Sequence, residues 1–265
     1  MDPKDRMVWV TGASSGIGKA LAVELAKEGA AGVLLSARRM DRLEETAEEC
    51  RRHGARVWLM PLDLSRPDAL AAGTREAAEK CGDIDILVNA AGVGQRGTAL
   101  ETTTATARRI MEVDFWGAVE LTRAVVPGML RRGSGQVVAV TGVLGKFGAP
   151  RRSFYSAGKH ALHGWFESLR EEIFGQGVEI TLIVPGWVLT EISEQALEAD
   201  GGRHGVTDRG QLRGISAEEC ARRAITAIRE GRAEQLIGGI ECGGVYLNRL
   251  WPALFKKLLR KRGIG

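Results

Sequence analysis

Thr11-Gly12-Ala13-Ser14-Ser15-Gly16-Ile17-Gly18 is the stretch that decides how this chain folds. It follows the apolar run Met7–Thr11, which reads as a buried strand. It leads into Lys19–Glu28, where apolar residues recur at helical spacing. Such a junction needs glycines for three reasons: the turn is tight, the backbone must approach a phosphate, and the helix must pack closely on the strand. The helix amino end then offers free N–H groups and a partial positive charge to an anion. An ordinary glycine-rich turn is the plain alternative. The position between strand and helix favours a dinucleotide site instead, with Gly12, Ser14, Ser15, Gly16, Ile17 and Gly18 around the pyrophosphate.

Outward from the turn, the same alternation repeats. Gly32–Ser36, Arg56–Met60, Ile84–Asn89, Gln136–Thr141 and Glu179–Val184 read as strands. Asp41–Arg52 and Asp68–Lys80 read as amphipathic helices. The pattern predicts an α/β fold, a doubly wound parallel sheet with helices on both faces and ligands at the carboxyl ends of its strands. One domain is expected over residues 1–265. Glycine-rich Gly201–Gly214 suggests a lid or substrate loop at about 190–215, and Ser216-Ala217-Glu218-Glu219 can cap a helix running to about Arg229.

The second strand ends in Ser36-Ala37-Arg38-Arg39. An acidic residue there suits the ribose hydroxyls of NAD, whereas an arginine suits the 2′-phosphate of NADP through a forked, charge-assisted pair. Arg38 and Arg39 therefore point to NADP(H); a solvated charge pair at a helix start is the competing reading, and cations are unfavourable there.

Composition narrows the class. The chain is 44% apolar and 26% charged, with a net charge of +4. That balance is ordinary for a globular protein and gives no argument for a nucleic-acid partner. The four cysteines form no CxxC pair, and His53, His160, His163 and His204 show no ligand spacing, so no metal is expected. The amino end has no apolar signal region, and no apolar run reaches the about 18 residues of a membrane span, so the expected location is cytoplasmic. Trp9 and Trp58 are expected in the core, and Trp187 beside the substrate.

Tyr155-Ser156-Ala157-Gly158-Lys159 places a phenol and an ammonium on one helix face. The ammonium stabilises phenolate, which makes the tyrosine a usable acid or base. Together with the phosphate turn, this motif resembles the short-chain dehydrogenase/reductase family, whose motif order the chain follows over about residues 7–240. The resemblance implies a Rossmann fold and a homodimer or homotetramer. It also implies a catalytic pair Tyr155 and Lys159, which touch the cofactor too. Further cofactor contacts are implied at Asp63 and Leu64, at Asn89, Ala90 and Gly92, and at Pro185, Gly186, Val188 and Thr190.

Two positions depart from the family pattern. Thirteen residues before Tyr155, where the family has the serine that holds the substrate oxygen, stands Gly142. Where the family has an asparagine holding a water beside the lysine stands Asp114, whose charge opposes the pull of Lys159 on Tyr155. A serine inserted at Gly142 is expected to be sterically mild. Rescue by Thr141 needs a local twist, because neighbouring strand residues face opposite sides. Both positions belong to the catalytic centre on this reading. The leading expectation is an NADPH-dependent reductase of a bulky apolar or lipid-like ketone with an atypical centre. The alternatives are a catalytically impaired NADP-binding scaffold or signalling protein, and an enzyme of the same fold with other chemistry.

Toward the carboxyl end, His204-Gly-Val-Thr-Asp208, Gly214-Ile-Ser-Ala-Glu218 and Arg249-Leu-Trp-Pro-Ala-Leu-Phe255 resemble the member 7B type of the family, associated with reduction of acyl- or alkyl-dihydroxyacetone phosphate, a lipid ketone. At about 244–262, Leu250, Trp251, Leu254, Phe255, Leu258 and Leu259 recur at helical spacing among Lys256, Lys257, Arg260, Lys261 and Arg262. A basic amphipathic helix of this kind can rest on an anionic membrane or pack on its own subunit.

Overall fold

The structure is a computed structural model that describes residues 1–262. Along the chain come β1 (Met7–Thr11), α1 (Gly16–Lys27), β2 (Gly32–Ala37), α2 (Met40–Arg52), β3 (Arg56–Pro61), α3 (Pro67–Cys81) and β4 (Ile86–Asn89). Then follow α4 (Thr104–Met111), a π-helical turn at Glu112–Trp116, α5 (Gly117–Arg132), β5 (Gly135–Val140), α6 (Ser153–Glu172) and β6 (Val178–Pro185). The last part holds β7 (Val188–Leu189), α7 (Arg209–Leu212), β8 (Ile215–Ser216), α8 (Ala217–Arg229), β9 (Glu234–Ile237), α9 (Gly243–Leu250) and α10 (Pro252–Arg262).

The central sheet has seven strands in the order β3-β2-β1-β4-β5-β6-β9, all parallel. The winding reverses between β1 and β4, where Thr11 pairs with Asn89. A crevice opens at such a reversal, because the two neighbouring connections leave in opposite directions. Strand residues alternate between two cores. Val8 and Val10 face the layer of α1, α2 and α8, with Leu21, Leu25, Leu43 and Ile228. Trp9 faces the layer of α3, α5 and α6, with Leu121, Met129 and Phe166. Each of the fully buried leucines contributes ~1.5–3 kcal/mol over exposure. Trp9 also satisfies its indole by donating to Ser36 Oγ at 2.8 Å. Trp58, on the edge strand β3, is only half-buried.

Several elements differ from the sequence expectation. β4 begins at Ile86, and the carboxylate of the preceding Asp85 accepts from the N–H of Met7 at 2.9 Å. β9 has no apolar run to announce it; Glu234 and Gln235 make up half of its four residues. The segment after residue 190 is largely irregular up to α7, as a loop, and it packs on the body of the protein. β7 pairs with β8, Leu197 bridges Gln95 and Arg203, and Ser193, Ala196 and Gln211 are buried. Ser216 caps α8 by accepting from the N–H of Glu219 at 3.1 Å. The tail expected as one helix at 244–262 is two. Pro252 lacks an N–H and disfavours helical backbone at Trp251, which lies at φ −137° and ψ 67°.

Candidate active site

The crevice at the strand reversal widens into a cavity of about 380 Å³. Its wall at one end is the phosphate turn. Gly12 and Gly16 adopt φ +67° and +55°, which side-chain-bearing residues avoid. A Cβ on Gly18 would stand 2.3 Å from the carbonyl oxygen of Gly12, so only glycine lets α1 start this close to β1. Ser15 caps α1 with its backbone alone, and no acidic side chain lies in the first turn. The first N–H groups are thus left for an external anion. The open cradle and these donors fit a pyrophosphate.

Ser14, Ser15, Ile17, Arg38, Arg39, Asp63, Leu64, Ala90, Gly92, Pro185, Gly186, Val188 and Thr190 all line the same cavity, as do Gly12, Gly16 and Gly18. Arg39 reaches back to donate to Ser15 Oγ at 3.2 Å and pairs with Glu191 at 3.6 Å. Arg38 lies exposed on the rim, without an ion pair among the described residues. Burial works against the Asp63 carboxylate. The N–H and hydroxyl of Ser65, helped by Arg38 and Arg109, nonetheless hold it below the usual range. Asn89 departs from the cofactor-contact expectation. It is buried behind the cavity wall and donates to Thr122 Oγ1 at 3.1 Å, bracing β4 against α5.

At the far end, Tyr155 and Lys159 face the cavity from α6. Lys159 Nζ lies 5.7 Å from the centre of the Tyr155 ring and donates to the carbonyl of Val140 at 3.3 Å. It also stands 3.2 Å from Asp114 Oδ1. Asp114 sits on the π-helical turn, whose extra residue pushes it inward; it is buried behind Lys159 and does not line the cavity. It accepts from the N–H of Val93 at 3.2 Å, and its second oxygen has no partner among the described residues. Burial pushes the Asp114 carboxyl up to about 6, against the pull of Lys159. Burial raises Tyr155 above its ordinary value, with Asp114 adding and Lys159 opposing. Burial alone would lower Lys159, but Asp114 and Tyr155 raise it.

Gly142 lines the cavity, and a Cβ built there would point to within 4.0 Å of Tyr155 Oη. The space for a side chain is real, but the backbone is at φ +123°. The expectation that serine fits mildly here is therefore corrected: the strain is in the backbone, not in the packing. Thr141 does not replace the donor, because its hydroxyl is turned to the carbonyl of Ile183 at 3.1 Å.

Three residues central to this end were not singled out from the sequence. Gln95, fully buried, accepts from the N–H groups of Phe154 and Tyr155 at 2.8 and 3.2 Å and so caps α6 from outside. Arg96 and Arg152 are 6% and 5% exposed, and both line the cavity. Asp208 lies between them; it accepts from Arg96 Nε and Nη2, and from Arg152 Nη2 at 3.1 Å. Burial, with Arg96 close by, lowers Arg152 to about 10 despite Asp208. Within this cluster two cations face one anion, while Glu241, on the same cavity wall, accepts from the N–H groups of Trp187 and Gly239. Isolated arginines in loops carry no periodicity, so only the fold could bring them together.

Outside the cavity, His163, Glu167 and Glu234 are close enough to hold a metal ion. The reading that His163 has no ligand spacing is therefore corrected: Glu167 stands at i+4 on the same helix, and the fold adds Glu234. Lys146 Nζ already stands 2.6 Å from Glu234 and 3.9 Å from Glu167, and it competes with a metal ion for both carboxylates. Burial, with Lys146 beside it, takes His163 down to about 3.

Residues 6–201 match the family model described as short chain dehydrogenase. The chain belongs to the short-chain dehydrogenase family. It is 34% identical over 266 residues to dehydrogenase/reductase SDR family member 7B of Danio rerio, covering 98% of this chain and 86% of that protein. It is 36% identical to the family protein 7-like of Anopheles gambiae, covering 97% of this chain and 83% of that protein. Among solved structures, a short-chain dehydrogenase from Sphingobium yanoikuyae in complex with NADPH superposes with a TM-score of 0.77 at 27% identity, over 87% of each chain. One from Burkholderia phymatum in complex with NAD gives a TM-score of 0.83 at 25% identity, over 96% of each. This short-chain dehydrogenase therefore resembles the member 7B type over nearly its full length, and of these two structural neighbours one is in complex with NADPH and the other with NAD.

Proposed function

We propose that this protein is an NADP(H)-dependent oxidoreductase that reduces the carbonyl of a bulky, lipid-like ketone bearing an anionic group. The observation that carries the reading is one cavity that holds the phosphate turn, the Arg38–Arg39 rim, the Tyr155–Lys159 pair and the Arg96–Arg152 pair together. When bound, NADPH supplies the hydride. Tyr155 keeps its phenolic proton well into the alkaline range and delivers it from Oη to the developing alkoxide, which favours the direction of reduction. Lys159, held between Asp114 and the Val140 carbonyl, carries positive charge beside that proton. Arg96 and Arg152 draw the anionic group of the substrate and hold its carbonyl end near Tyr155. Arg152 stands three residues before that tyrosine, immediately ahead of α6. Val143, Leu144, Phe147 and Trp187 offer apolar wall to the rest of the molecule.

Titration with both cofactors tests the first half of the proposal. A charge-assisted arginine contact contributes ~1.5–3 kcal/mol, so NADPH should bind at least about tenfold tighter than NADH. Alanine at Arg38 and Arg39 should erase the difference. Equal affinities in the wild type would remove the NADP assignment.

A second reading is favoured by Gly142. Without an oxygen donor at that position, rates on the order of 10²–10³ lower are expected, which suits a protein that binds NADP(H) as a scaffold or signal. A panel of neutral and anionic ketones, followed by NADPH oxidation, separates the two. Turnover confined to anionic ketones supports the reductase; tight NADPH binding with no turnover on any of them supports the scaffold.

A further inference from the structure

Residues 243–262 carry Arg249, Lys256, Lys257, Arg260, Lys261 and Arg262 and no acidic residue. The structure divides the apolar side chains of this segment into two groups. Phe255 turns inward and stacks edge-on against Phe147 at 4.8 Å, in a small core with Val143 and Val184. Tyr246, Leu250, Trp251, Leu254 and Leu258 stay outside, and Ile240, on the turn before α9, is 82% exposed. A helix that only closed its own subunit would turn these groups in. Here the break at Pro252 anchors α10 through Phe255 and leaves a row of large apolar groups among cations.

We propose that the outer face of α9 and α10 docks on an anionic lipid bilayer. Leu250, Trp251 and Leu254 enter the boundary between headgroups and acyl chains, and Lys256, Lys257, Arg260 and Lys261 meet the headgroups. Charge decides between this occupant and a second copy of the chain. A two-fold interface sets the same patch against itself, and because residues 243–262 carry six cations and no carboxylate, the patch would meet its own sign of charge. An anionic leaflet answers every one. The face also adjoins the cavity. Phe147, the partner of Phe255, lines it, and so does Glu241, the residue after Ile240. Docking thus sets the substrate end of the cavity beside the bilayer, where a lipid-like molecule would be drawn from. The docking itself does not depend on the proposed reaction, and its test does not read activity.

The full chain should float with vesicles of phosphatidylcholine and phosphatidylserine but not with phosphatidylcholine alone, and added salt should release it. Each cation near an anionic surface is worth ~1 kcal/mol, about fivefold in partitioning, so Lys256→Gln with Lys257→Gln should weaken binding about 25-fold. Trp251→Ala with Leu254→Ala should weaken it by more than about tenfold through lost apolar burial. All four residues are exposed, so NADPH affinity should be unchanged and reports that the variants are folded. Failure of the wild type to bind anionic vesicles overturns the proposal, as does binding that neither pair of substitutions weakens. So does light scattering that shows the wild type as an oligomer which Trp251→Ala with Leu254→Ala dissociates, since the face is then occupied by a second copy.

Discussion

Asp114 and Lys159 share a buried corner, 3.2 Å apart. This makes the pair a control on the acidity of Tyr155. Below about pH 6 Asp114 takes up a proton, its opposition to Lys159 disappears, and Tyr155 becomes the stronger acid. Reduction measured as kcat/KM should therefore rise as pH falls through about 6. Asp114→Asn should abolish that step and move the alkaline limb down, because the phenol then loses its proton more readily. An unchanged profile in Asp114→Asn would show that the carboxylate does not act through the tyrosine. Gly142 gives a second residue-scale test. Serine at φ +123° is expected to cost ~1–3 kcal/mol of stability, a fall in Tm of several degrees. Its hydroxyl would stand near Tyr155 Oη, but on a backbone that serine holds only under strain. The gain in kcat should consequently fall short of the ~10²–10³ that a seated donor provides. A full gain with no loss of Tm would mean that the turn adopts another conformation readily.

Among the elements, α6 and α8 show how differently two helices can be started. α8 begins on its own sequence, with the Ser216 hydroxyl accepting from Glu219. Ser216→Ala should cost ~1 kcal/mol, a drop of about 2–4 °C in Tm, with kinetics unaffected. α6 begins on a residue far away in the chain, because Gln95 supplies the acceptor for its first N–H groups. The start of α8 is readable locally for that reason, and the start of α6, which aims Tyr155, is not. The tail follows the same logic. Its helical periodicity is plain in the sequence, but one proline divides it, and only packing on Phe147 selects Phe255 as the inward residue.

On the scale of the whole molecule, the segment after residue 190 is tied to the cavity through Asp208, which joins Arg96, 112 residues earlier, to Arg152, 56 residues earlier. Arg152→Gln should raise KM for anionic ketones by about 10- to 100-fold, the worth of a charged hydrogen bond, while KM for neutral ones and the affinity for NADPH change little. Equal effects on both kinds of ketone would assign Arg152 to structure alone. The sequence by itself determined six of the seven strands of the sheet and its ligand edge. Strand and helix periods are local properties of the chain, and the turn at Gly12–Gly18 states its requirement within eight residues. It also determined which side chains stand on α6, since Tyr155 and Lys159 are one turn apart. Only the tertiary structure decided what surrounds them. It buried Asp114 against Lys159, turned Thr141 away, held Gly142 in a backbone few residues accept, and gathered Arg96, Arg152 and Asp208 at one end of the cavity. Burial, close approach and charge pairing between distant parts of the chain set those features, and none of them has a period along the sequence.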